Sequence, residues 1–469
     1  MTTPPRQADW LRLDLVLPAS APRPITRGRP ARVALTWHNT DDRALARRGQ
    51  ALVEVRRRRD TVWQLLALRT DGSTLPYALG MQDAIIIESA RFEDLAVTEV
   101  VGPVAQLEAA IRTVGVPCAD VTAQVLEGYF RFGATTQPVR RLLLSGPAGA
   151  VEEAAIMLGA AVPPQTLSGA ALALSWPTFR PVGAPILHAD MTLDAAFVHI
   201  VEHLAAIIVD LVPAVCAGET AEPVHQMRVA IRRLRSAMSL FGNLVACPPV
   251  SEAKTAMRDL AQALAPARAW DVFLDETWAA IAEALPSDPA VVALQAAASD
   301  RRQVAYADLR AILVAPTFAA LTVRLACLAA VRPWAAMTDE LSDFAARALK
   351  RRAKRLRATG RHIGTLEIAA LHALRLKTKR LRYAAEFFTP LYPGHAARRS
   401  LRALADLQDE LGHLNDAATA EALLAELPTD LATGYAGGLV RGFVAGSHAN
   451  GRTQIEAAWR RLRKQKAPW

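Results

Sequence analysis

The sequence predicts an α+β domain at the N-terminus, followed by an all-α domain that takes up the larger C-terminal part. Short β-like runs separated by Pro, Gly and Asp-Asp breaks fill the first part of the chain. Prolines at positions 163, 164, 177, 181 and 185 then interrupt every regular pattern, and the chain after them is helical in pattern. Hydrophobic residues make up 52% of the chain and aromatic residues only 6%, which favours packed helices over a β-sandwich.

The chain has 469 residues, which is longer than a domain with a single hydrophobic core usually is, so we expect two domains. We place the first domain at residues 9–180, the linker near 175–190 and the helical domain at 190–469. The four cysteines lie far apart without a CxxC pair, which indicates neither a zinc site nor a disulfide framework. We therefore expect no metal, no cofactor and a reducing, cytoplasmic location. The cysteines are Cys118, Cys216, Cys247 and Cys327.

The predicted elements of the first domain are strands followed by one helix. The strands are at residues 11–17, 32–37, 51–55 and 62–68, with a further strand at 139–144. The last strand ends at a Ser-Gly-Pro sequence and leads into a helix at residues 150–158.

The helical domain begins with the most apolar stretch of the chain, at residues 197–216. It is interrupted by His199, Glu202, His203 and Asp210, which a membrane span would rarely tolerate. The N-terminus also lacks the basic start and apolar run of a secretory signal. We expect a buried amphipathic helix at this stretch and no transmembrane segment.

An internal repeat dominates the helical domain. Residues 224–241, VHQMRVAIRRLRSAMSLF, align without gaps to residues 371–388, LHALRLKTKRLRYAAEFF. The same offset brings LAPARAWDVF at 264–273 onto LGHLNDAATA at 411–420. Two motifs that share one offset predict a tandem duplication, in which two helical bundles related by a pseudo-two-fold axis each contribute one basic helix.

Each basic helix carries its cations in a stripe, because positions i, i+3, i+7 and i+10 stay on one side of an α-helix. The stripes are His225, Arg228, Arg232 and Arg235 in the first copy, and His372, Arg375, Lys379 and Arg382 in the second. Arg233, Lys377 and Arg380 add further charge beside them. For the two histidines, a packed or capping role remains the alternative to ligand binding.

The net charge of +10 implies attraction to polyanions, and more of the basic surplus lies in the C-terminal part. Like charges one helical turn apart repel, and no carboxylate lies inside either His-to-Arg motif. A solvated helix face is the alternative reading of one such helix. Two stripes that meet would instead form a groove or pore with about eight cations, whose guanidinium forks suit phosphate oxygens.

Three smaller groups could extend the basic surface. The segment KRRAKRLRATGR at 350–361 contains Lys350, Arg351 and Lys354, which we assign to the anion surface. The basic segment at 460–466 is either a further part of it or a solvated tail. His199 and His203 have a spacing that could bind metal, but no third ligand is evident, so we expect them to pack or to join the basic surface.

The duplicated motifs HQMRVAIRRLR and HALRLKTKRLR resemble the signature of the CHAD family over roughly residues 190–469. The resemblance implies two pseudo-symmetric four-helix bundles, here at about 190–335 and 336–469, around a basic pore that binds inorganic polyphosphate. It further implies that some members are located on polyphosphate granules or storage granules. The family's downstream motif, LG followed by an Arg-Asp pair, departs here because Ala269 replaces the Asp in the first copy. We expect this change to weaken a structural salt bridge or cap rather than anion binding.

The first domain, over about residues 9–180, resembles the CYTH triphosphatase family in two segments, NTDDRALARRGQALVEVRRR and VRRLLLSGPAGAVEEAAIML. CYTH resemblance implies an antiparallel β domain whose carboxylates hold divalent metal against a triphosphate. The family's ExExK positions fall here on Trp10, Arg12 and Asp14, and the late acidic positions fall near Arg140 and Leu142. The resemblance therefore implies a degenerate CYTH-like domain without catalysis.

The sequence thus predicts a non-catalytic polyphosphate-binding protein of the cytoplasm, associated with polyphosphate granules, with granule surface proteins as further partners. A nucleic-acid-binding protein is the main alternative, but the basic helices offer only Tyr383 and terminal Phe residues for base stacking. A metal-dependent triphosphatase is the second alternative, and it requires carboxylate pairs that the aligned positions lack.

Overall fold

The fold is given by a computed structural model. It describes residues 10–163 and 182–469, apart from gaps at 19–20, 42, 48–49, 59, 68–82, 88–100, 119, 414–415, 448–450 and 466–468, together with residues 167 and 171. Eight antiparallel strands form one sheet in the order β1-β8-β7-β6-β2-β3-β4-β5. The strands are β1 (Trp10–Val16), β2 (Thr26–Asn39), β3 (Gln50–Arg57), β4 (Asp60–Ala67), β5 (Asp83–Ile87), β6 (Gly102–Val114), β7 (Thr122–Phe132) and β8 (Thr135–Pro147).

The predicted antiparallel β domain is confirmed, and each predicted strand lies within or largely overlaps β1, β2, β3, β4 or β8. Two helices accompany the sheet, α1 (Ala44–Arg47) and α2 (Ala148–Met157), of which α2 was predicted. Strands β5, β6 and β7 were not predicted. This antiparallel sheet is compatible with a CYTH-like fold.

Both faces of the sheet are packed. Alternate residues of β1, β7 and β8, such as Leu13 and Leu142, form a core with Val151 of α2. The opposite side, here called the far face, is covered with apolar side chains of β2, β3, β6 and β7. These include Val33, Trp37, Val53, Leu107 and Phe130, and Leu167 and Ala171 pack against them.

One buried ion pair interrupts the far face. Asp14 lies 3.7 Å from Arg141 of β8 and accepts a hydrogen bond of 2.7 Å from the backbone N–H of Leu167. Burial raises the pKa of Asp14, although the charge of Arg141 opposes the rise. Arg140 instead pairs with Glu127, and Leu142 packs towards α2, so neither position aligned with the family's late carboxylates faces this side.

The helical domain begins after an irregular segment at 182–192; residues 175–181 of the predicted linker lie outside the described residues. Its helices are α3 (Leu193–Asp210), α4 (Val212–Ala217), α5 (Glu222–Phe241), α6 (Pro248–Ala263), α7 (Ala265–Val272), α8 (Ala279–Ala284), α9 (Pro289–Leu313), α10 (Pro316–Val331), α11 (Leu341–Thr359), α12 (Ile368–Phe388), α13 (His395–His413), α14 (Asp416–Leu424), α15 (Thr429–Thr433), α16 (Tyr435–Ser447) and α17 (Gly451–Lys464). A π-helical turn, Phe273–Trp278, separates α7 from α8.

The predicted pair of four-helix bundles is confirmed. In the first bundle α3 packs on α5, α5 on α6, α6 on α10 and α10 back on α3. In the second, α11 packs on α12, α12 on α13 and α13 on α17. The sequence offset of the repeat relates α3, α5 and α6 to α11, α12 and α13, whose starting residues are equivalent to within about one position. Helices α5 and α12 pack against each other, so the two basic helices join the bundles.

The sheet domain sits on the first bundle. Helix α2 packs on α10, and the backbone N–H of Val162 donates to Thr322 Oγ1 at 3.1 Å. Arg324 of α10 lies 3.6 Å from Glu152 and 3.2 Å from Glu252, which ties α2, α10 and α6 together. All four cysteines are free thiols.

The apolar stretch predicted as a buried helix forms α3 and α4. By length and composition, residues 193–217 could cross a membrane, and α9 with α10 would pass the same test as a pair bent by 56°. Within the fold, α3 is a core helix of the first bundle, and side chains such as Phe197 and Leu204 are fully buried.

Candidate anion-binding cleft

The two basic helices bury one apolar face each and turn their cations towards the boundary between the bundles. Met227, Ile231 and Leu234 of α5 lie in the core, as do Leu374 and Leu381 of α12. In α12 the apolar face also contains Thr378, whose hydroxyl donates to the carbonyl of Leu374 at 2.9 Å. Because the cations lie next to these buried faces, their side chains are not fully exposed to solvent, and most of the stripe residues are partly buried.

A cleft of about 820 Å³ opens where α5, α6, α11 and α12 meet, and we call it the central cleft. Four hydroxyl side chains, Leu376 and Tyr383 complete a wall that is otherwise basic. No carboxylate is among the described residues that line it. The basic lining residues are Arg232, Arg235, Lys254, Arg258, Arg352, Arg355, Lys377, Lys379 and Arg380.

Cations of the two repeats are close enough to affect each other's protonation. Burial, followed by the charges of Arg375, Arg232 and Arg228 in that order, lowers the pKa of Lys379 to about 8. Burial, together with Arg232 and Arg268, lowers the pKa of Arg228 to about 10. Because Arg228 and Arg232 belong to α5 and Lys379 to α12, the two predicted stripes do meet.

Two of these guanidinium groups contain a buried donor without a partner. Among the described residues, neither Arg232 Nε nor Arg375 Nε has a hydrogen-bond acceptor. A buried N–H group that lacks an acceptor is costly, and native proteins rarely retain one without a reason. Arg232 lines the central cleft, so an anion bound there would supply its missing acceptor, whereas Arg375 is not among the residues that line the cleft.

One cation of the second stripe and one cation beside the first stripe are neutralised by the protein itself. Arg233 of α5 and Arg382 of α12 both bind Glu386, at 3.0 and 2.9 Å. Glu386 lies one turn after the second His-to-Arg motif, so the carboxylate that neutralises this pair lies outside the motif. The shared carboxylate links α5 to α12, whereas in the described part of the chain no ion pair joins a carboxylate to Arg232, Arg235 or Lys379.

The predicted histidines are dispersed. His225 of α5 is partly buried, and burial and the charge of Arg268 lower its pKa. His372 is exposed and does not line the central cleft. His203 is buried in the first bundle with Nε2 3.2 Å from the carbonyl of Gly183, and its ring centroid is 6.3 Å from that of His199. Neither of these two lines the central cleft, and no group of residues within the described ranges is arranged to hold a metal ion.

The predicted cations of α11 divide between its two sides. Lys350 and Lys354 do not line the central cleft but face α17 on the other side of the helix. Arg351 is exposed and lies at a neighbouring depression between α11 and the end of α5. Arg352 and Arg355, from the same predicted basic segment, are the residues that reach the central cleft.

Besides Arg352 and Arg355, which were predicted only as part of the basic segment 350–361, three cations near the site were not identified as site residues from the sequence. Arg268 influences both His225 and Arg228, and its position in the LAPARAWD motif was the only signal for it. Lys254 and Arg258 line the cleft from α6. In the sequence they are flanked by Glu252 and Asp259, and such a mixture of charges is typical of a solvated helix face.

Comparison with known families identifies one that lies within the helical domain. Residues 199–425 match the family model described as the CHAD domain. The crystal structure of the CHAD domain from the plant Ricinus communis is similar with a TM-score of 0.54 and 30% sequence identity, covering 63% of this chain and 99% of that one. PptA from Streptomyces chartreusis has a TM-score of 0.43 and 16% identity, with 59% of this chain and 99% of that chain covered. No curated protein matches the chain.

Proposed function

Since the chain belongs to the CHAD family, we propose that its central cleft binds inorganic polyphosphate and that the protein does so without catalysis. The observation that carries this proposal is the lining of the cleft, where Lys and Arg side chains from four helices converge without a carboxylate. A polymer with a negative charge on every unit suits such a lining better than a small anion, because it can contact cations of both repeats at once.

The chemistry of the lining favours condensed phosphate over nucleic acid. Guanidinium forks bind phosphate oxygens in pairs, and serine and threonine hydroxyls can donate further hydrogen bonds. Nucleic-acid grooves that tolerate many sequences usually present aromatic rings on which bases stack. Tyr383 is the aromatic residue of the described lining, and it is only 8% exposed, so a base would find little ring surface there.

The non-catalytic part of the proposal rests on the sheet domain. Apolar side chains cover its far face, and Asp14 is the one buried carboxylate found in the described part of that domain. Arg141 already pairs with Asp14, so this carboxylate is poorly placed to hold a divalent metal for phosphoryl transfer. We assign the sheet domain a role in support or localisation, in the cytoplasm and on polyphosphate granules together with their surface proteins.

The proposal is tested by titrating the purified protein with long-chain polyphosphate in about 150 mM salt. Duplex DNA and single-stranded RNA of matched charge serve as competitors. We expect tight binding of polyphosphate and weak competition by both nucleic acids. Equal binding of all three polymers, lost together as salt is added, would show a generic basic surface. Release of orthophosphate from tripolyphosphate in the presence of Mg²⁺ or Mn²⁺ would contradict the non-catalytic assignment.

We expect the affinity for polyphosphate to fall as the pH rises from 7 to 9. Lys379 has a pKa of about 8, so it is mostly charged at pH 7 and loses its proton within this range. If binding requires the charged form, the loss reaches up to about tenfold at one pH unit above the pKa. Isothermal titration at several pH values measures this dependence.

The control for the pH series is Lys379→Arg, because a guanidinium keeps its charge over the same range. We expect its affinity to vary much less between pH 7 and 9. If the affinity of this variant for polyphosphate fell as steeply between pH 7 and 9, the pH dependence would come from a group other than Lys379.

A further inference from the structure

A second basic cleft lies on the other side of α11. It is formed by α11, the turn after it and the C-terminal helix α17, and its volume is about 900 Å³. Ala353, Trp459 and Trp469 form its apolar part. Its cations are Lys350, Lys354, Arg357, Arg361, Arg463 and Lys464. We call it the outer cleft.

The sequence of α11 explains why one helix serves two clefts. Positions 350, 354 and 357 advance by four and three residues and therefore lie on one side of the helix. Arg352 and Arg355 lie on the opposite side and line the central cleft. The basic segment of the sequence is therefore not one extended surface but two, separated by the thickness of a helix, about 10–12 Å with its side chains.

The cations of the outer cleft are unneutralised. All six are exposed, and within the described part of the chain none forms an ion pair with a carboxylate. Their neighbour Arg461, by contrast, lies 4.0 Å from Asp406. Six like charges that face one cleft repel each other, and a polyanion would relieve that repulsion.

The bundle architecture does not require a basic face here. The repeat offset places His203, Ile207 and Asp210 of α3 at the positions of Lys350, Lys354 and Arg357. In the first bundle His203 and Ile207 are buried, and His203 contacts the carbonyl of Gly183 in the segment before α3. The same helix face is thus buried at these two positions in one repeat, and exposed and cationic in the other.

We propose that the outer cleft is a second binding site for condensed phosphate, so that one long chain occupies both clefts by passing around α11. This inference rests on the proposed function of the central cleft. A chain that reaches both sites gains affinity because the second contact is intramolecular, whereas tripolyphosphate is too short to span the helix and fills the two clefts independently.

The test compares the wild-type protein with the variant Lys350→Gln/Lys354→Gln/Arg463→Gln. The matched control is Arg398→Gln/Arg399→Gln/Arg402→Gln, which removes the same charge from three exposed positions of α13. We expect two tripolyphosphate molecules per wild-type chain and one per variant chain by isothermal titration. For long-chain polyphosphate we expect the variant to lose about tenfold or more in affinity and the control to change by less than about twofold.

Each alternative outcome has a distinct meaning. If the variant binds both ligands as the control does, the outer cleft is a solvated surface and the inference is wrong, while the proposed function stands. If the wild-type protein binds neither ligand, the proposed function itself fails. If the variant loses binding of duplex DNA but not of polyphosphate, the outer cleft is a nucleic-acid site and our ligand assignment is overturned.

Discussion

Replacing Arg228, Arg232, Arg375 and Lys379 together by glutamine is expected to abolish polyphosphate binding. These four residues are the cations whose charges converge between the two repeats, and two of them contain a buried donor without a partner. A hydrogen bond to a charged group contributes about 1.5–3 kcal/mol, so losing several such contacts corresponds to more than about a thousandfold in affinity. Fluorescence or calorimetric titration with long-chain polyphosphate measures the loss.

The fold of this variant should be intact. The four cations repel one another in the free protein, and glutamine keeps the aliphatic part of each side chain that packs beside the core. We therefore expect an unchanged circular dichroism spectrum and a melting temperature equal to or above that of the wild type. Arg398, Arg399, Arg402 and Arg460 are exposed, and their replacement by glutamine is the matched control. Tight binding by the cleft variant would contradict the site assignment.

The sequence predicts most of the architecture because its strongest signals are periodic. The alternation in β1 and β3 and the duplicated helix motifs each identify an element and the face that it buries. Strand β6 alternates in the same way at Ala105, Leu107 and Ala109, but these residues and the intervening Gln106 and Glu108 are good helix formers, so local preference opposes the strand pattern. Pairing with β2 and β7 on its two sides decides its conformation, and no local preference shows those neighbours.

The sequence predicts the cations of the site that lie on the two repeated helices, but not those that α6 and α11 contribute. The repeat identifies Arg232 and Lys379 on helices that come together. Lys254 and Arg258 reach the cleft only because α6 packs on α5, which their own charge pattern does not indicate. The division of α11 into two basic sides likewise depends on where α12 and α17 pack, although its helical period already separates the two sets of cations.

In the LAPARAWD motif Ala269 stands where the family has an aspartate, and a buried aspartate, Asp271, lies two residues further along the chain. Asp271 is fully buried and accepts hydrogen bonds of 2.7 Å from Arg302 Nε and 3.0 Å from the hydroxyl of Tyr306. The guanidinium of Arg302 also lies 4.3 Å from the centre of the Tyr306 ring. Burial and the charge of Asp271 raise the pKa of Tyr306 to about 12, so the hydroxyl remains a donor at neutral pH. This network fastens α7 to α9.

Asp271→Ala is expected to destabilise the helical domain by about 2–4 kcal/mol, because it leaves a partly buried guanidinium and a buried hydroxyl without their acceptor. The side chain of Arg302 is 25% exposed, and water can replace part of the lost interaction, which argues against a larger value. Urea unfolding followed by tryptophan fluorescence measures the change, since Trp270, which precedes Asp271 in the sequence, and Trp278 are both buried.

Asp275→Ala is the matched control, because this carboxylate is exposed and lies one turn further along the same helical segment. We expect a change within about 0.5 kcal/mol for it. The affinity of folded Asp271→Ala for polyphosphate should stay within about threefold of the wild type, since the network lies outside the lining of both clefts. Equal stability of the two variants would show that Arg302 and Tyr306 find other partners. Loss of polyphosphate binding without loss of stability would instead show that Asp271 contributes to binding. Because Asp271 is buried, it would do so indirectly, by positioning α7 and the Arg268 side chain on that helix.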